Sequence, residues 1–237
     1  IRGIGIILGF FLHLYLTNLL GPLDYGFFSY AMAWVMILKI FATLGLDTIL
    51  IKYIPKYRIK NNLKSLSNII NNSKIILLIT STCITVTGIL FVSLFSFYIN
   101  DDLAIIIVLS MLIIPFRAFI KLYLSIIRAF ENFIQPALFK SIAYPFCFTC
   151  ILLIYLSFGD YDINVKQVMV MNIFAIIATF VIANFLYRRT ITIDLKNINY
   201  EFDYFNTIKY SLPFLFISGI HIILAKTDIV VAGFFVD

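Results

Sequence analysis

The sequence predicts an all-α polytopic membrane protein with seven transmembrane helices. Of its 237 residues, 62% are hydrophobic and only 13% are charged, and the mean hydropathy is +1.02. Soluble domains average about 45–50% apolar and about 25% charged residues. The apolar residues fall in seven long runs, and a helix of roughly 20 apolar residues crosses a bilayer core. Short polar connections separate the runs, so we expect no large domain outside the membrane.

The first two runs are joined by a turn. Run one covers residues 4–20 and contains Gly5 and Gly9, whose spacing lets a neighbouring helix approach closely. The Gly21-Pro22 pair predicts a turn before run two, at about residues 25–54. Run two leads into a polar segment that is rich in lysine and holds no acid. Such a segment is typical of a cytoplasmic connection.

Five further runs follow, at about residues 75–99, 103–127, 136–158, 167–187 and 208–236. Pro136 stands at the start of run five, a favoured first-turn position of a helix. Pro115, Pro145 and Pro213 lie inside or near the starts of runs and permit bending there.

The lysines and arginines are distributed unequally between the two sides of the predicted membrane. Of the 18, twelve lie in the N-terminus and in every second connection: Arg2, Lys52, Lys56, Arg58, Lys60, Lys64, Lys74, Arg128, Arg188, Arg189, Lys196 and Lys209. The other three connections carry only Lys166. Because positive charge stays on the cytoplasmic side of spans, this pattern predicts a cytoplasmic N-terminus. We therefore attribute the net charge of +6 to the cations that set the orientation in the membrane, and we expect no nucleic-acid partner.

Five cations fall inside the apolar runs: Lys39, Arg117, Lys121, Lys140 and Lys226. A cation at the centre of a span costs about 2.5–3.5 kcal/mol on insertion scales. On a helix, Arg117, Lys121 and Arg128 fall within about 40° of one another and form one polar stripe. We interpret these cations as lining a cavity for a ligand with phosphate or carboxylate groups. The alternative is that those near span ends extend to the interface.

The candidate residues form two sets. The substrate-binding candidates are Arg117, Lys121, Lys39, Lys140 and Arg128. The candidates for ion coupling or charge pairing are Asp47, Lys226, Asp228 and His221, the two acids being possible partners for Lys39 and Lys226. We expect no catalytic residues, metal site or cofactor, and we interpret the Cys147-x-x-Cys150 pair as apolar packing.

Two stretches carry a resemblance to a known family. The first runs from Leu14 to Ala31 and continues through Leu44-Gly45-Leu46-Asp47 to Lys52-Tyr53-Ile54, and the second comprises residues 211–214 and 226–235. They resemble the polysaccharide (O-antigen) flippase family of the multidrug/oligosaccharidyl-lipid/polysaccharide exporter superfamily. The chain departs from it at Asn18, where the family often has arginine, and at Ile229, where it often has a basic residue.

The resemblance implies a transporter of 12–14 helices in two six-helix lobes that works by alternating access. On this interpretation residues 1–187 form the N-terminal transmembrane lobe and residues 188–207 the cytoplasmic connection between lobes. Residues 208–237 would be the first helix of a C-terminal lobe, so we expect the chain to be a fragment.

The functional hypothesis is a flippase, not an enzyme, in a prokaryotic inner membrane. It would translocate an undecaprenyl-pyrophosphate-linked oligosaccharide in contact with membrane lipids, with H⁺ or Na⁺ as a coupling ion and contacts with polysaccharide polymerase machinery. The alternatives are a cation-coupled multidrug exporter of the same superfamily, a membrane-embedded glycosyltransferase or polymerase, and a structural subunit. A drug exporter would need acids in the spans, whereas Asp47 and Asp228 stand against five cations.

Overall fold

A computed structural model describes residues 2–95, 101–157, 163–191 and 204–234. These residues are almost entirely helical and contain no strand. The helices are α1 (Arg2–Thr43), α2 (Leu46–Ile59), α3 (Leu63–Phe95), α4 (Asp101–Met111), α5 (Ile113–Ala129), α6 (Ile134–Leu138), α7 (Tyr144–Ser157), α8 (Val165–Thr190) and α9 (Tyr204–Phe234), with a π-helical turn at Phe139–Ala143. The all-helical prediction is confirmed.

Five helical stretches of the described chain are long and apolar enough to cross a membrane: Gly5–Thr43, Leu63–Phe95, Asp101–Ala129, Ile134–Ser157 and Val165–Thr190. A sixth arises if Tyr204–Ile220 and Ile222–Ala232, which are bent by 48°, count as one span. The protein is therefore a multi-pass membrane protein. The count is lower than the predicted seven because runs one and two lie within one stretch of 39 residues.

That first stretch is broken at Gly21, inside α1. Gly21 has φ 78° and ψ 169°, outside the helical region, and Pro22 follows it. The Tyr25 hydroxyl lies 3.1 Å from His13 Nδ1, whereas 12 residues of straight helix would separate them by about 18 Å. The chain therefore bends sharply at the predicted Gly-Pro turn, and side chains from the two sides of the bend are in contact.

A second break corrects the predicted extent of run two. The helix ends at Thr43, and Leu44 and Gly45 adopt φ values of 47° and 73° before α2 begins. The Thr80 hydroxyl of α3 donates a 2.7 Å hydrogen bond to the Ala42 carbonyl oxygen beside the break. Lys39 and Asp47, which the sequence placed in the single run two, therefore lie on separate helices.

Gly45 is also the point where α9 crosses this break. A Cβ atom on Gly45 would lie 2.7 Å from the Ser211 carbonyl oxygen and 2.8 Å from the Leu215 backbone nitrogen. Real Cβ atoms do not approach backbone atoms so closely, and the positive φ independently favours glycine. The packing of α9 on this part of α1 and α2 thus requires a residue without a side chain.

The predicted close approach at run one involves only one of its two glycines. A Cβ atom on Gly5 would lie 2.7 Å from the carbonyl oxygen of Ser141 in the π-helical turn. Gly9, by contrast, has nothing within 4 Å of that position. The neighbour of run one is therefore the segment that carries Lys140.

Helix α5 holds the central position among the described helices. It packs against α1, α2, α3 and α8, and Ile113, Ile114, Ala118 and Leu122 are buried in the main apolar core. Its remaining face carries Arg117 and Lys121. The residues that fix α5 in the bundle therefore also fix those two cations.

Candidate functional site

The centre of the candidate site is an ion pair between α5 and α2. Lys121 Nζ lies 2.9 Å from Asp47 Oδ2. The lysine side chain is 28% exposed and that of the aspartate 12%. The pair thus joins the central helix to the segment that follows the break at Gly45, and it links residues 74 positions apart in the sequence.

Asp47 is only partly satisfied by this pair. It lies in the first turn of α2, where the positive end of the helix dipole stabilises a carboxylate. Its other oxygen, Oδ1, is buried and has no hydrogen-bond partner in the part of the chain that the structure describes. Asp47 therefore retains one buried acceptor oxygen besides the one that Lys121 contacts.

Three further cations belong to the same group, which Lys39 connects. Lys39 lies close enough to Arg117, Lys121, Lys140 and Asp47 to interact with each of them electrostatically. Lys39 and Arg117 are half-buried and Lys140 is exposed. Four cations and one carboxylate give this group a formal charge of +3. Such a group attracts phosphate or carboxylate ligands in the low dielectric of a membrane protein. We call these five residues the cation cluster.

Arg117 is oriented by a chain of polar contacts that runs into the core. Its Cζ lies 4.9 Å from the centre of the Tyr144 ring, within the range of a cation–π interaction. The Tyr144 hydroxyl donates a 3.0 Å hydrogen bond to Asn172 Oδ1. Asn172 is fully buried, and its Nδ2 lies 3.3 Å from the sulfur of Met32. Three helices besides α5 therefore hold the guanidinium in place.

Arg128, the fifth predicted substrate-binding residue, lies away from this group. It is half-buried in the last turn of α5, seven residues after Lys121 and thus about 10 Å further along the helix axis. The structure therefore brings together four of the five predicted cations.

Two of the predicted residues of α9, Lys226 and Asp228, are described and are not part of the cation cluster. Lys226 is half-buried and interacts electrostatically with His13 of α1, and Asp228 is exposed. The side chain of His221 lies outside the described residues, although its backbone continues α9. The direct partner of Asp47 is Lys121, not the predicted Lys39.

Two residues of the site were absent from the predicted set. Tyr144 and Asn172 orient Arg117, and neither carries a charge that would have drawn attention. Asn172 could nevertheless have been recognised from the sequence, because it stands in an apolar run. Amides inside spans commonly make hydrogen bonds between helices.

Among the described residues no cluster of histidine, cysteine and acidic side chains could hold a metal ion. Cys83, Cys147 and Cys150 carry free thiols, the latter two half-buried.

Comparison with known proteins identifies the family of the chain. A family model described as a polysaccharide biosynthesis protein matches residues 1–237. No curated protein and no solved structure matches the chain. With long apolar helices, intramembrane cations and a family match over its whole length, the chain belongs to the polysaccharide biosynthesis protein family of multi-pass membrane proteins.

Proposed function

We propose that the protein is a flippase for a lipid-linked oligosaccharide in a prokaryotic inner membrane. The substrate would be anchored by undecaprenyl pyrophosphate and would move from the cytoplasmic to the outer leaflet by alternating access. The observation that carries the proposal is the cation cluster. Its formal charge of +3 matches the negative charge of a pyrophosphate group or of acidic sugars.

The topology in this proposal comprises seven spans with a cytoplasmic N-terminus. The break at Gly21 and the contact between His13 and Tyr25 support two spans within α1. At about 1.5 Å per residue, the 39-residue stretch Gly5–Thr43 would extend about 58 Å if straight, nearly twice a bilayer core. The distribution of Lys and Arg supports the orientation. Residues 1–187 would form one lobe and 208–237 would begin the next, while 192–203 lie outside the described residues.

The alternative functions fit the site less well. A cation-coupled drug exporter needs a carboxylate that is available to a cation, whereas Asp47 is already paired with Lys121 and surrounded by positive charge. A glycosyltransferase or polymerase would need room for paired acids outside the membrane. Helices α3 and α4 are separated by only five residues and α7 and α8 by only seven. We therefore propose a transporter and not an enzyme.

The proposal is tested by neutralising the cations in the full-length protein. In cells that depend on it for surface polysaccharide, Arg117→Gln and Lys39→Gln should each reduce export and cause lipid-linked oligosaccharide to accumulate on the cytoplasmic side. We expect the double variant to lose most export, because each change removes one charge from the same group.

Lys60→Gln provides the matched control. It makes the same change of charge at an exposed position at the end of α2, so export should be unchanged. Normal export by the Arg117→Gln/Lys39→Gln double variant at normal membrane levels would contradict the proposed role of the cation cluster.

A further inference from the structure

A second polar site lies between α2, α3 and α9, beyond the cation cluster. It is a cavity of about 160 Å³, and eight of its ten lining residues carry a hydroxyl or amide group. The residues that matter most are Tyr53, Tyr57, Asn68, Asn72, Asn206 and Tyr210. At about 1.5 Å per residue, Tyr53 and Tyr57 lie roughly 9 Å and 15 Å along α2 from Asp47. Ile49, two residues after Asp47, also lines the cavity, but none of the five residues of the cation cluster does, so the two sites have no residue in common.

Three tyrosine rings form one wall of this cavity. The centre of the Tyr53 ring lies 6.0 Å from that of Tyr57 and 6.3 Å from that of Tyr210, with the planes tilted by 34° and 37°. These are ordinary distances for interacting aromatic pairs. Since Tyr210 belongs to α9, the wall is continuous across two helices.

Two lysines flank the aromatic wall. Lys52 Nζ lies 5.7 Å and Lys56 Nζ 5.6 Å from the centre of the Tyr53 ring. Both side chains are exposed, and no acidic residue lines the cavity. Any ligand that rests on the Tyr53 ring therefore lies close to two positive charges.

The composition of the cavity indicates the chemistry of its ligand. Amides both donate and accept hydrogen bonds, as do hydroxyl groups, and aromatic rings pack against apolar C–H surfaces. A sugar ring presents both kinds of surface at once. Pockets for drug-sized ligands measure about 300–1,000 Å³, so this smaller cavity holds one ring and not a whole oligosaccharide.

We propose that this cavity binds a single acidic sugar unit. Given the proposed flippase function and orientation, on which this inference rests, the unit belongs to the lipid-linked oligosaccharide as it waits on the cytoplasmic side. The tyrosine wall holds the ring, the amides bind its hydroxyl groups, and Lys52 and Lys56 attract its carboxylate.

The test measures binding of D-glucuronic acid and D-glucose to the purified full-length protein. Glucuronate should bind about tenfold more tightly, and its affinity should fall as salt is added. Lys52→Gln/Lys56→Gln should bring glucuronate down to the affinity of glucose. Because both lysines are exposed, this variant should fold normally. Equal affinities for the two sugars in the unaltered protein would overturn the proposal.

A second pair of variants tests the aromatic wall. Tyr210→Ala should weaken the binding of both sugars by about tenfold, which is the loss of affinity expected for one aromatic contact. Tyr15→Ala, which removes a tyrosine that is 42% exposed on α1, is the matched control and should bind both sugars normally. Glucuronate binding that survives unchanged in a folded Tyr210→Ala protein would also overturn the proposal.

Arg117→Gln separates this inference from the proposed function. That variant should lose export and keep sugar binding, because Arg117 belongs to the other site. A full-length protein that binds glucuronate as described but exports no polysaccharide would refute only the proposed flippase function. A protein that exports polysaccharide but binds neither sugar would refute only the proposed sugar binding by the cavity.

Discussion

The ion pair between Lys121 and Asp47 has two unequal members. Asp47 is the more deeply buried and already has one unpartnered oxygen, whereas Lys121 is 28% exposed and can extend toward water. Removing one partner of a buried pair costs about 3–5 kcal/mol, chiefly because the remaining charge is uncompensated. The loss of folding stability should therefore depend on whether Lys121 or Asp47 is replaced.

Lys121→Gln should destabilise the protein by about 3 kcal/mol, the lower end of that range because Lys121 is partly exposed, and Asp47→Asn by clearly less. The double variant should recover much of the loss, since it leaves no unpaired charge. Thermal unfolding of the four proteins in detergent gives the coupling energy between the two sites. Additive effects would show that the pair contributes no interaction of its own.

Tyr144 has two separable contacts, one through its ring and one through its hydroxyl. Tyr144→Phe should keep the ring beside Arg117 and remove the hydrogen-bond donor of Asn172 Oδ1, at a cost of about 1–3 kcal/mol in stability. Tyr144→Leu should in addition release Arg117 and reduce export. Measuring stability and export for both variants separates the two contacts, and equal export by the two would exclude a role for the ring.

At the scale of the element, the crossing of α9 over the break at Gly45 is the feature most sensitive to change. Gly45→Ala should displace α9 and lower the unfolding temperature markedly, because the new Cβ would collide with backbone and the φ of 73° disfavours alanine. Gly26→Ala is the matched control, since nothing lies within 4 Å of its added Cβ. Similar unfolding temperatures for both variants would contradict the close packing at Gly45.

The sequence predicted most helices and the break at Gly21-Pro22, but not the break at Leu44 and Gly45. The apolar pattern continues from run two through Leu44 and Leu46, so it gives no sign that the chain turns there. Leu44 has a φ of 47°, which is uncommon for leucine. The neighbouring Gly45 packs closely against α9. This contact joins residues far apart in the chain, so a local sequence pattern cannot reveal it. The π-helical turn at Phe139–Ala143 was missed for the same reason.

At the scale of the molecule, composition and charge distribution were enough to predict a multi-pass helical protein. They also singled out Lys39, Arg117, Lys121 and Lys140, because charges are rare inside apolar runs. They could not supply the pairing of Asp47 with Lys121 or the support of Arg117 by Asn172, since each contact joins helices far apart in the sequence. The charged residues of a site can be identified from the local sequence, whereas the residues that contact them depend on how the helices pack.

The proposed orientation makes a prediction for the whole molecule. With the native cysteines replaced, single cysteines at the exposed positions Lys60 and Gln135 should react with impermeant thiol reagents only from the cytoplasmic side. One at exposed Asp102 should react from the outside. Labelling of Lys60→Cys and Asp102→Cys from the same side would exclude the proposed topology.

The crossing at Gly45 also has a consequence for biosynthesis. The backbone that covers Gly45 belongs to Leu215 and its neighbours, which the ribosome adds about 170 residues later, the separation between these two positions. Until α9 has been synthesised, the break between α1 and α2 lacks the helix that packs against Gly45. We therefore expect quality-control proteases to degrade translation products that stop before α9, even though these contain every residue of the cation cluster.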